Sequence, residues 1–266
     1  MKEQKILFFD IDGTLLTAPP FSVPESAQLA LKKAREKGHL LFVNSGRTLG
    51  MISPLIRNLG FDGYVCGCGS QIYMHDRLLY SSTIPNELCR RTAEVLRECK
   101  VAAFFEQPGG ILYDGGSPVS CMDVEHLKDE VKAEDLSLFD EEKKNKFTFD
   151  KFLAFLQEDS LEDKFRAFCE KHFLYFDHGN RIWEVTQKKC SKATGIRFLL
   201  EKLNIPLENS FAFGDSTNDL LMLQYAGHSI AMGNSMEEIL PYCSYQTTDI
   251  DKDGIYNAMK HFQLID

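Results

Sequence analysis

The fold is decided by Ile6-Leu7-Phe8-Phe9 and the turn after it, Asp10-Ile11-Asp12-Gly13-Thr14-Leu15. The four apolar residues predict a buried strand, which delivers two carboxylates into a turn that Gly13 opens. Side chains two positions apart on a strand face the same way, so Asp10 and Asp12 repel each other unless a cation separates them or one stays protonated. A solvated turn explains Asp12-Gly13 alone, but not an acid directly after four apolar residues.

The bulk composition excludes two classes of partner. The chain has 266 residues, of which 44% are hydrophobic, and this is ample for a packed core. Its net charge of −9, without a long basic block, argues against a nucleic-acid binder, which needs a positive surface. Because no apolar stretch reaches membrane-spanning length and the N-terminal apolar run is too short for a signal peptide, we expect a cytoplasmic protein that has no membrane partner.

The eight cysteines predict neither disulfides nor a metal site. They lie at positions 66, 68, 89, 99, 121, 169, 190 and 243, and none forms a Cys-x-x-Cys pair. Without an export signal a disulfide framework is not expected, and one residue between Cys66 and Cys68 is not a usual zinc spacing. We expect reduced thiols that act as small apolar residues.

Strand and helix patterns alternate at both ends of the chain. Strands are predicted at residues 40–43, 64–67 and 211–213, and helices at residues 49–59 and 192–202. A further helical pattern, Leu29, Leu31 and Ala34, follows Glu25 and closes at Gly38. Such alternation predicts an α/β fold, a Rossmann-like parallel sheet with helices on both faces. Ligands of such sheets bind outside the carboxyl ends of the strands.

The middle of the chain has a different character. After a predicted hairpin at residues 71–80, short strands and helices mix through residues 101–185, and the charged stretch 123–146 predicts solvated helix and loop. We therefore predict an inserted α+β domain at residues 84–186 and an outer catalytic domain formed by residues 1–83 and 187–266.

Four separated pieces of the chain follow a strand or begin a helix. They are Asp10 and Asp12; Ser45, Gly46 and Arg47; Lys192; and Asp215, Asn218 and Asp219. The second piece offers a hydroxyl and backbone N–H groups at a predicted helix N-terminus, which suits an anion. Carboxylate oxygens with few other protein donors suit Mg²⁺, which keeps waters and bridges phosphate. Together the four pieces predict a phosphoryl-transfer centre.

The motifs Asp-x-Asp-Gly-Thr, Ser-Gly-Arg, Lys and Gly-Asp-x-x-Asn-Asp, in this order, resemble those of the haloacid dehalogenase superfamily of phosphatases. The length and the insertion between the second and third motifs resemble its Cof-type subfamily with a C2B cap. Near the end of the chain, residues 230–234 and 253–255 resemble the closing strands of that subfamily. One departure is Cys68-Gly69-Ser70, where many relatives have Asn-Gly-Ala, which puts the floor of the pocket in doubt.

The resemblance implies a role for each acid. Asp10 would attack phosphorus and form an aspartyl-phosphate. Asp12 would protonate the leaving alcohol and then activate the hydrolytic water. Mg²⁺ would be held by Asp10, by the backbone carbonyl of Asp12 and by Asp215, and would offset the repulsion between the carboxylate and the phosphate.

The remaining motif residues would serve the transferring phosphoryl group. Lys192, Ser45 and the Gly46 amide would neutralise its oxygens, and Asn218 would contact it. Asp219 would orient Lys192 or a metal-bound water, while Arg47 would pair with an acid near the pocket. The substrates implied are small phosphate esters, with sugar phosphates foremost.

Two alternatives stay open at this point. A phosphomutase of the same superfamily would transfer the phosphoryl group to a second sugar hydroxyl instead of releasing phosphate. A regulator that binds sugar phosphates without turnover would keep the pocket but not the activity, and the intact Asp10, Asp12, Lys192 and Asp215 argue against it.

Overall fold

The structure, a computed structural model, describes residues 4–108, 110–117 and 121–266. The chain folds into two compact units. The first unit consists of Met1–Arg47, Ile52–Ser81 and Ser191–Asp266, and the inserted unit consists of Thr48–Met51 and Ser82–Cys190.

The first unit is built on an eight-stranded sheet. In spatial order its strands are Tyr245–Gln246, His228–Ala231, Ser210–Gly214, Ile6–Phe9, Leu40–Asn44, Gly63–Cys66, Gln71–Met74 and Arg77–Ser81. The first six run parallel, and the last two form an antiparallel hairpin. This architecture confirms the predicted α/β fold with a largely parallel sheet.

The strand Ile6–Phe9 lies at the centre of this sheet and is buried on both faces. All four of its side chains are inaccessible to solvent, although they alternate between the two faces. Ile6 and Phe8 pack in one apolar cluster with residues of helices Lys192–Leu203 and Leu220–Tyr225. A strand covered on both sides reads as a continuous apolar run, which is why residues 6–9 show no polar alternation.

The register of the central strands fixes where the polar residues emerge. Phe9 pairs with Phe213 on one side and with Val43 on the other. The residues that follow these three, which are Asp10, Gly214 and Asn44, therefore leave the sheet at the same carboxyl edge. The acids at 10 and 215 and the serine at 45 share that edge because the strands are parallel and in register.

The helices of the first unit are Glu25–Glu36, Pro54–Arg57, Lys192–Leu203, Leu220–Tyr225 and Gly254–His261, with 3₁₀ turns at Gly67–Gly69, Leu207–Asn209, Thr217–Asp219 and Glu237–Tyr242. None of the helices in the described part of the chain is long and apolar enough to cross a membrane.

Two sequence expectations about elements are wrong. The helix expected at residues 49–59 is only a 3₁₀ turn, Leu49–Met51, and a short helix, Pro54–Arg57. Pro54 lacks the backbone N–H that a continuous helix would need there, so it can only begin a new one. Residues 253–255, expected in a closing strand, instead begin the helix Gly254–His261 after Asp253, whose backbone is left-handed with φ 61°.

The inserted unit is an α+β fold on a second, mostly antiparallel sheet, as the sequence predicted. In spatial order its strands are Phe173–Asp177, Ile182–Gln187, Lys151–Leu156, Val101–Gln107, Gly110–Tyr113 and Glu134–Asp135. Its helices are Asn86–Glu98, Met122–Glu130, Glu141–Lys146 and Glu162–His172, with a 3₁₀ turn at Leu136–Leu138. Its core contains a group of packed aromatic residues, in which Trp183 stacks on Phe165 and on Tyr175.

One face of the inserted sheet carries a buried charged group. Lys151 forms ion pairs with Glu106, at 3.3 Å, and with Glu184. All three side chains are nearly inaccessible to solvent. Burial raises the pKa of Glu184, but the charge of Lys151 and a bond from His178 outweigh burial, so the pKa lies well below its usual range.

The cysteines occupy apolar surroundings. All eight carry free thiols, and seven of them are buried. Burial raises the pKa of the Cys66 thiol well above its ordinary value, which keeps it protonated.

Candidate active site

Lys192 is the centre of a buried ionic network at the carboxyl edge of the first unit's sheet. Its ammonium nitrogen Nζ lies 2.6 Å from Asp10 Oδ1, 2.5 Å from Asp219 Oδ1 and 3.4 Å from Asn218 Oδ1. The Lys192 side chain is only 2% exposed. Burial lowers the pKa of Lys192, but the carboxylates of Asp10 and Asp219 outweigh burial and raise it above its ordinary value. Lys192 is therefore a permanent cation.

The position of Lys192 follows from a capping box at the start of its helix. The Ser191 hydroxyl accepts the Thr194 N–H at 3.1 Å, and the Thr194 hydroxyl accepts the Ser191 N–H at 2.9 Å. Such reciprocal bonds fix the residue at which a helix begins. Lys192 is therefore held in the first turn.

Asp219 is fully committed to contacts within this network. Its Oδ1 accepts from Lys192, and its Oδ2 accepts the backbone N–H groups of Asp215, at 3.0 Å, and Ser216, at 3.2 Å. It thus closes the turn after strand Ser210–Gly214 and orients Lys192. Its oxygens are less available to a metal ion than those of Asp10 and Asp215.

Three carboxylates crowd together around Lys192. Asp10, Asp215 and Asp219 each offer an oxygen, and these oxygens lie within 4.8 Å of one another. Burial and the neighbouring Asp219 raise the pKa of Asp10 to about 8, although Lys192 opposes this. The same two causes raise the pKa of Asp215 to about 7. An excess of buried negative charge on hard oxygen donors suits a divalent cation, so the acid set fits a metal site.

Asp12 forms an ion pair with Arg47, separate from the network around Lys192. Arg47 donates through Nε to Asp12 Oδ2 at 2.9 Å and through Nη2 to Asp12 Oδ1 at 2.7 Å. The Asp12 side chain is 54% exposed, unlike the buried Asp10. A two-pronged bond of this kind holds the carboxylate in a defined orientation.

Ser45 follows the strand Leu40–Asn44 and is buried, and its hydroxyl accepts the Arg47 N–H at 3.1 Å. The helix N-terminus expected at Gly46 is absent, because this fully described stretch contains only the turn Leu49–Met51 before residue 54. Any anion binding by Ser45 and Gly46 therefore relies on the hydroxyl and loop amides, without a helix dipole.

Cys68, where the sequence departs from the family pattern, lies directly behind Ser45. Its backbone N–H donates to the Ser45 carbonyl at 3.2 Å. Its φ is 53°, in the left-handed region that asparagine adopts more readily than most residues. The departure therefore concerns the backbone conformation that supports Ser45.

Thr14 is a residue of the site that we did not single out from the sequence. It is completely buried, and its hydroxyl donates to Asp215 Oδ1 at 3.0 Å. This bond favours the ionised Asp215 and joins the first and last motifs across 201 residues. Its presence in the Asp-x-Asp-Gly-Thr motif was the available signal.

Gly13 permits the close approach of Asp215. Its φ is +82°, and a Cβ there would collide with the Asp215 carboxylate, whereas a Cβ at Gly38, with φ +87°, would meet nothing.

We expect Gly38→Ala to lower the free energy of unfolding by about 1 kcal/mol through backbone strain alone. Gly13→Ala is expected to lower it further and to weaken divalent-cation binding. Thermal unfolding and cation titration of both variants measure the difference; equal losses would contradict the collision.

Comparisons with known proteins extend over nearly the whole chain. The sequence profile of the haloacid dehalogenase-like hydrolases matches residues 7–259. YkrA of Bacillus subtilis (strain 168) is 28% identical over 264 residues, 99% of each protein. The 5-amino-6-(5-phospho-D-ribitylamino)uracil phosphatase YcsE of the same organism is 25% identical over 263 residues, 98% of this chain and 96% of YcsE. The solved structure of the subclass IIB sugar phosphatase BT4131 is similar with TM-score 0.81 and 28% identity, covering 98% of this chain and 100% of that one.

Proposed function

Because this chain belongs to the haloacid dehalogenase-like hydrolases and is a phosphatase of that family, we propose that it hydrolyses small sugar phosphates with the aid of Mg²⁺. The observation that carries the proposal is the contact between Lys192 and Asp10. A buried, permanent cation at 2.6 Å from a carboxylate favours the ionised form, which is the form that attacks phosphorus.

In the first step, a carboxylate oxygen of Asp10 attacks phosphorus and the bond from phosphorus to the leaving oxygen breaks. The product is an acyl phosphate on Asp10 and a free alcohol. Lys192 and the Ser45 hydroxyl neutralise the phosphoryl oxygens as charge shifts toward the leaving group. Asn218, whose Oδ1 accepts from the Ser216 hydroxyl at 2.8 Å, is positioned by that bond and presents its amide to the same group.

Asp12 carries the proton in both steps. It protonates the leaving oxygen, and in the second step it takes a proton from the water that attacks the acyl phosphate, which restores Asp10 and releases phosphate. Arg47 donates two hydrogen bonds to the Asp12 carboxylate, and these bonds fix its orientation. The Asp12 side chain is 54% exposed, so solvent reaches it between turnovers.

The acid set would hold Mg²⁺ through Asp10, Asp215 and the Asp12 carbonyl. When bound, the ion supplies positive charge that offsets repulsion between the carboxylate and the phosphate. The raised pKa values of Asp10 and Asp215 mark the negative charge that such an ion would compensate. Thr14 supports this set from behind by its bond to Asp215.

Two similar proteins, BT4131 and YcsE, suggest two different substrate classes for this chain. BT4131 is a sugar phosphatase, whereas YcsE acts on a phosphoribitylamino uracil. Both substrates are monoesters that carry a hydroxylated carbon chain. We therefore place sugar phosphates first and phosphoribityl compounds second.

Phosphate release tests the proposal. The purified protein is incubated with p-nitrophenyl phosphate and Mg²⁺, and then with a panel of sugar phosphates and phosphoribityl compounds. We expect Mg²⁺-dependent release of inorganic phosphate and the highest kcat/KM on a sugar phosphate. Phosphate transfer to a second sugar hydroxyl without release would identify a phosphomutase. Tight binding of sugar phosphates without turnover would identify a regulator.

Mg²⁺ is expected to stabilise the protein more at high pH than at low pH. The folded-state pKa values of Asp10 and Asp215 lie above their values in the unfolded chain, near 3.8. Their contribution to the stability of the metal-free protein therefore falls as pH rises from about 4 to about 8, while the deprotonated pair that binds Mg²⁺ becomes populated.

Thermal unfolding with and without Mg²⁺ measures this linkage. We expect a larger rise in melting temperature at about pH 8 than at about pH 5.5. In Asp215→Asn the rise should be largely lost at both pH values. A rise in the unchanged protein that is equal at both pH values would contradict the linkage.

A further inference from the structure

We propose that Asn44 is a positioning residue that aligns Lys192 with Asp10. Asn44 is the last residue of the strand Leu40–Asn44 and is completely buried. Its side-chain amide Nδ2 donates to the backbone carbonyl of Lys192 at 3.0 Å, across 148 residues of chain. This inference rests on the roles proposed above for Asp10 and Lys192.

The capping box of Ser191 and Thr194 decides where the helix begins, but not where the helix lies on the sheet. The apolar residues of the helix pack on the sheet, and the Asn44 bond adds a directed link, because it joins the first helical turn to a strand of the sheet. That strand is paired in register with Ile6–Phe9, and Asp10 directly follows Phe9. One short path of bonds and pairings therefore fixes the start of the Lys192 side chain relative to the carboxylate that it contacts.

The same bond also relates Lys192 to Ser45. Asn44 directly precedes Ser45, whose hydroxyl we assign to the phosphoryl oxygens. The strand end that presents Ser45 and the helix turn that presents Lys192 are thus held together by one side chain. A small displacement of either group would misalign the pair, and misplacement by about 1 Å is able to reduce a rate about 100-fold.

Stability alone does not favour asparagine at this position. None of the described residues donates a hydrogen bond to Asn44 Oδ1, although that oxygen is buried. A buried acceptor without a partner opposes folding, and an apolar residue of similar size would avoid this loss. The assignment of the two amide atoms is clear, because only the nitrogen is able to donate to a carbonyl.

Asn44→Leu separates positioning from stability. It keeps the number and branching of the side-chain heavy atoms and removes both the bond to Lys192 and the unpartnered oxygen. We expect a melting temperature close to that of the unchanged protein, with kcat on p-nitrophenyl phosphate reduced about 10-fold to 100-fold. Binding of inorganic phosphate should weaken, while Mg²⁺ affinity should fall less than kcat, because Lys192 contacts only one of the proposed metal ligands, Asp10.

Asn209→Leu is the matched control. Asn209 is equally buried in the first unit, and its Oδ1 accepts from Lys5 at 2.5 Å, away from the acids. We expect this variant to lose stability and to keep kcat within about 2-fold. Should Asn44→Leu not fold, Asn44→Ala replaces it, since that change removes the donor and the unpartnered oxygen without adding volume or charge.

The outcomes are distinct. An Asn44→Leu or Asn44→Ala variant that folds and keeps full turnover overturns the positioning role. Equal losses of turnover and Mg²⁺ affinity also overturn it, because they indicate general loosening of the fold. If the unchanged protein itself releases no phosphate, the proposed function fails, and calorimetric binding of inorganic phosphate to both variants still decides the role of Asn44.

Discussion

Asp10→Asn is expected to abolish turnover and leave the protein folded. The amide has no negative oxygen to attack phosphorus, so kcat should fall by roughly 10⁴-fold or more. Folding should not suffer, because the change removes a buried negative charge that lies close to Asp219 and Asp215. Lys192 keeps Asp219 as its ionic partner.

The pH dependence of stability gives Asp10→Asn a second readout. In the unchanged protein the pKa of Asp10 rises on folding. The contribution of Asp10 to the free energy of unfolding therefore falls as pH increases from about 4 to about 8. Asparagine does not titrate, and the melting temperature of the variant should therefore exceed that of the unchanged protein most clearly at about pH 8. Both proteins are compared without metal, so that Mg²⁺ binding does not mask the difference.

Asp62→Asn is a suitable control for this substitution. The Asp62 carboxylate accepts the Leu41 N–H at 2.8 Å in the same unit, and it lies outside the acid cluster. We expect its turnover to stay within about 3-fold of the unchanged protein. Substantial turnover by Asp10→Asn, beyond what trace deamidation supplies, would refute Asp10 as the nucleophile.

The first strand and its acids could be predicted because their signal is local. Four apolar residues in a row indicate burial on both faces, and a parallel sheet brings the ends of such strands to one edge. The register that pairs Phe9 with Val43 and Phe213 then accounts for the shared position of Asp10 and the residues after strands 40–44 and 210–214. Sequence order and strand direction were sufficient for this part.

The local sequence does not show which distant group a side chain will contact. The family resemblance implied Asp219 as a partner of Lys192, but it did not imply the contact of Lys192 with Asp10. The sequence around Lys192 is also that of an ordinary solvated helix lysine, and only its contacts with Asp10 and Asp219 reveal the buried cation. The partners of Thr14 and Asn44 are also invisible in the local sequence, since each residue bonds to one more than 140 positions away. A short polar residue after a strand carries no sign of which distant group it will meet.

Local sequence also failed where one residue overrides a periodic pattern. The apolar spacing at 49–59 is that of a helix, but Pro54 starts a separate short one. At residues 253–255 the family resemblance favoured a strand, whereas the left-handed Asp253 ends the preceding loop and Gly254 begins a helix. In both places backbone conformation decided the element, and side-chain pattern did not.

Lys192→Met is the second change expected to have a large effect. The variant keeps the length of the side chain but removes the only charge that offsets Asp10 and Asp219 in the described network. Removing one partner from a buried ion pair costs about 3–5 kcal/mol, so the free energy of unfolding should fall clearly. Because phosphoryl oxygens also lose a donor, kcat should fall roughly 10²-fold to 10³-fold.

The stability loss of Lys192→Met should depend on pH. Lys192 lowers the pKa of Asp10, so its removal leaves an acid that is protonated over a wider range in the folded state. Protonation relieves the unpaired charge at low pH, and the deficit in unfolding free energy should therefore be smaller at about pH 5.5 than at about pH 8. Denaturant unfolding at both pH values measures this difference.

Lys151→Met is the control that distinguishes a catalytic effect of Lys192→Met from a loss of folded protein. Lys151 is equally buried and also pairs with two carboxylates, those of Glu106 and Glu184, in the inserted unit. We expect a comparable loss of stability from both variants, but Lys151→Met should hydrolyse p-nitrophenyl phosphate within about 3-fold of the unchanged rate per folded molecule. If both variants lost turnover equally, buried charge in general would explain the effect, and Lys192 would have no specific part in phosphoryl transfer. The contact between Lys192 and Asp10 predicts that the two variants will differ.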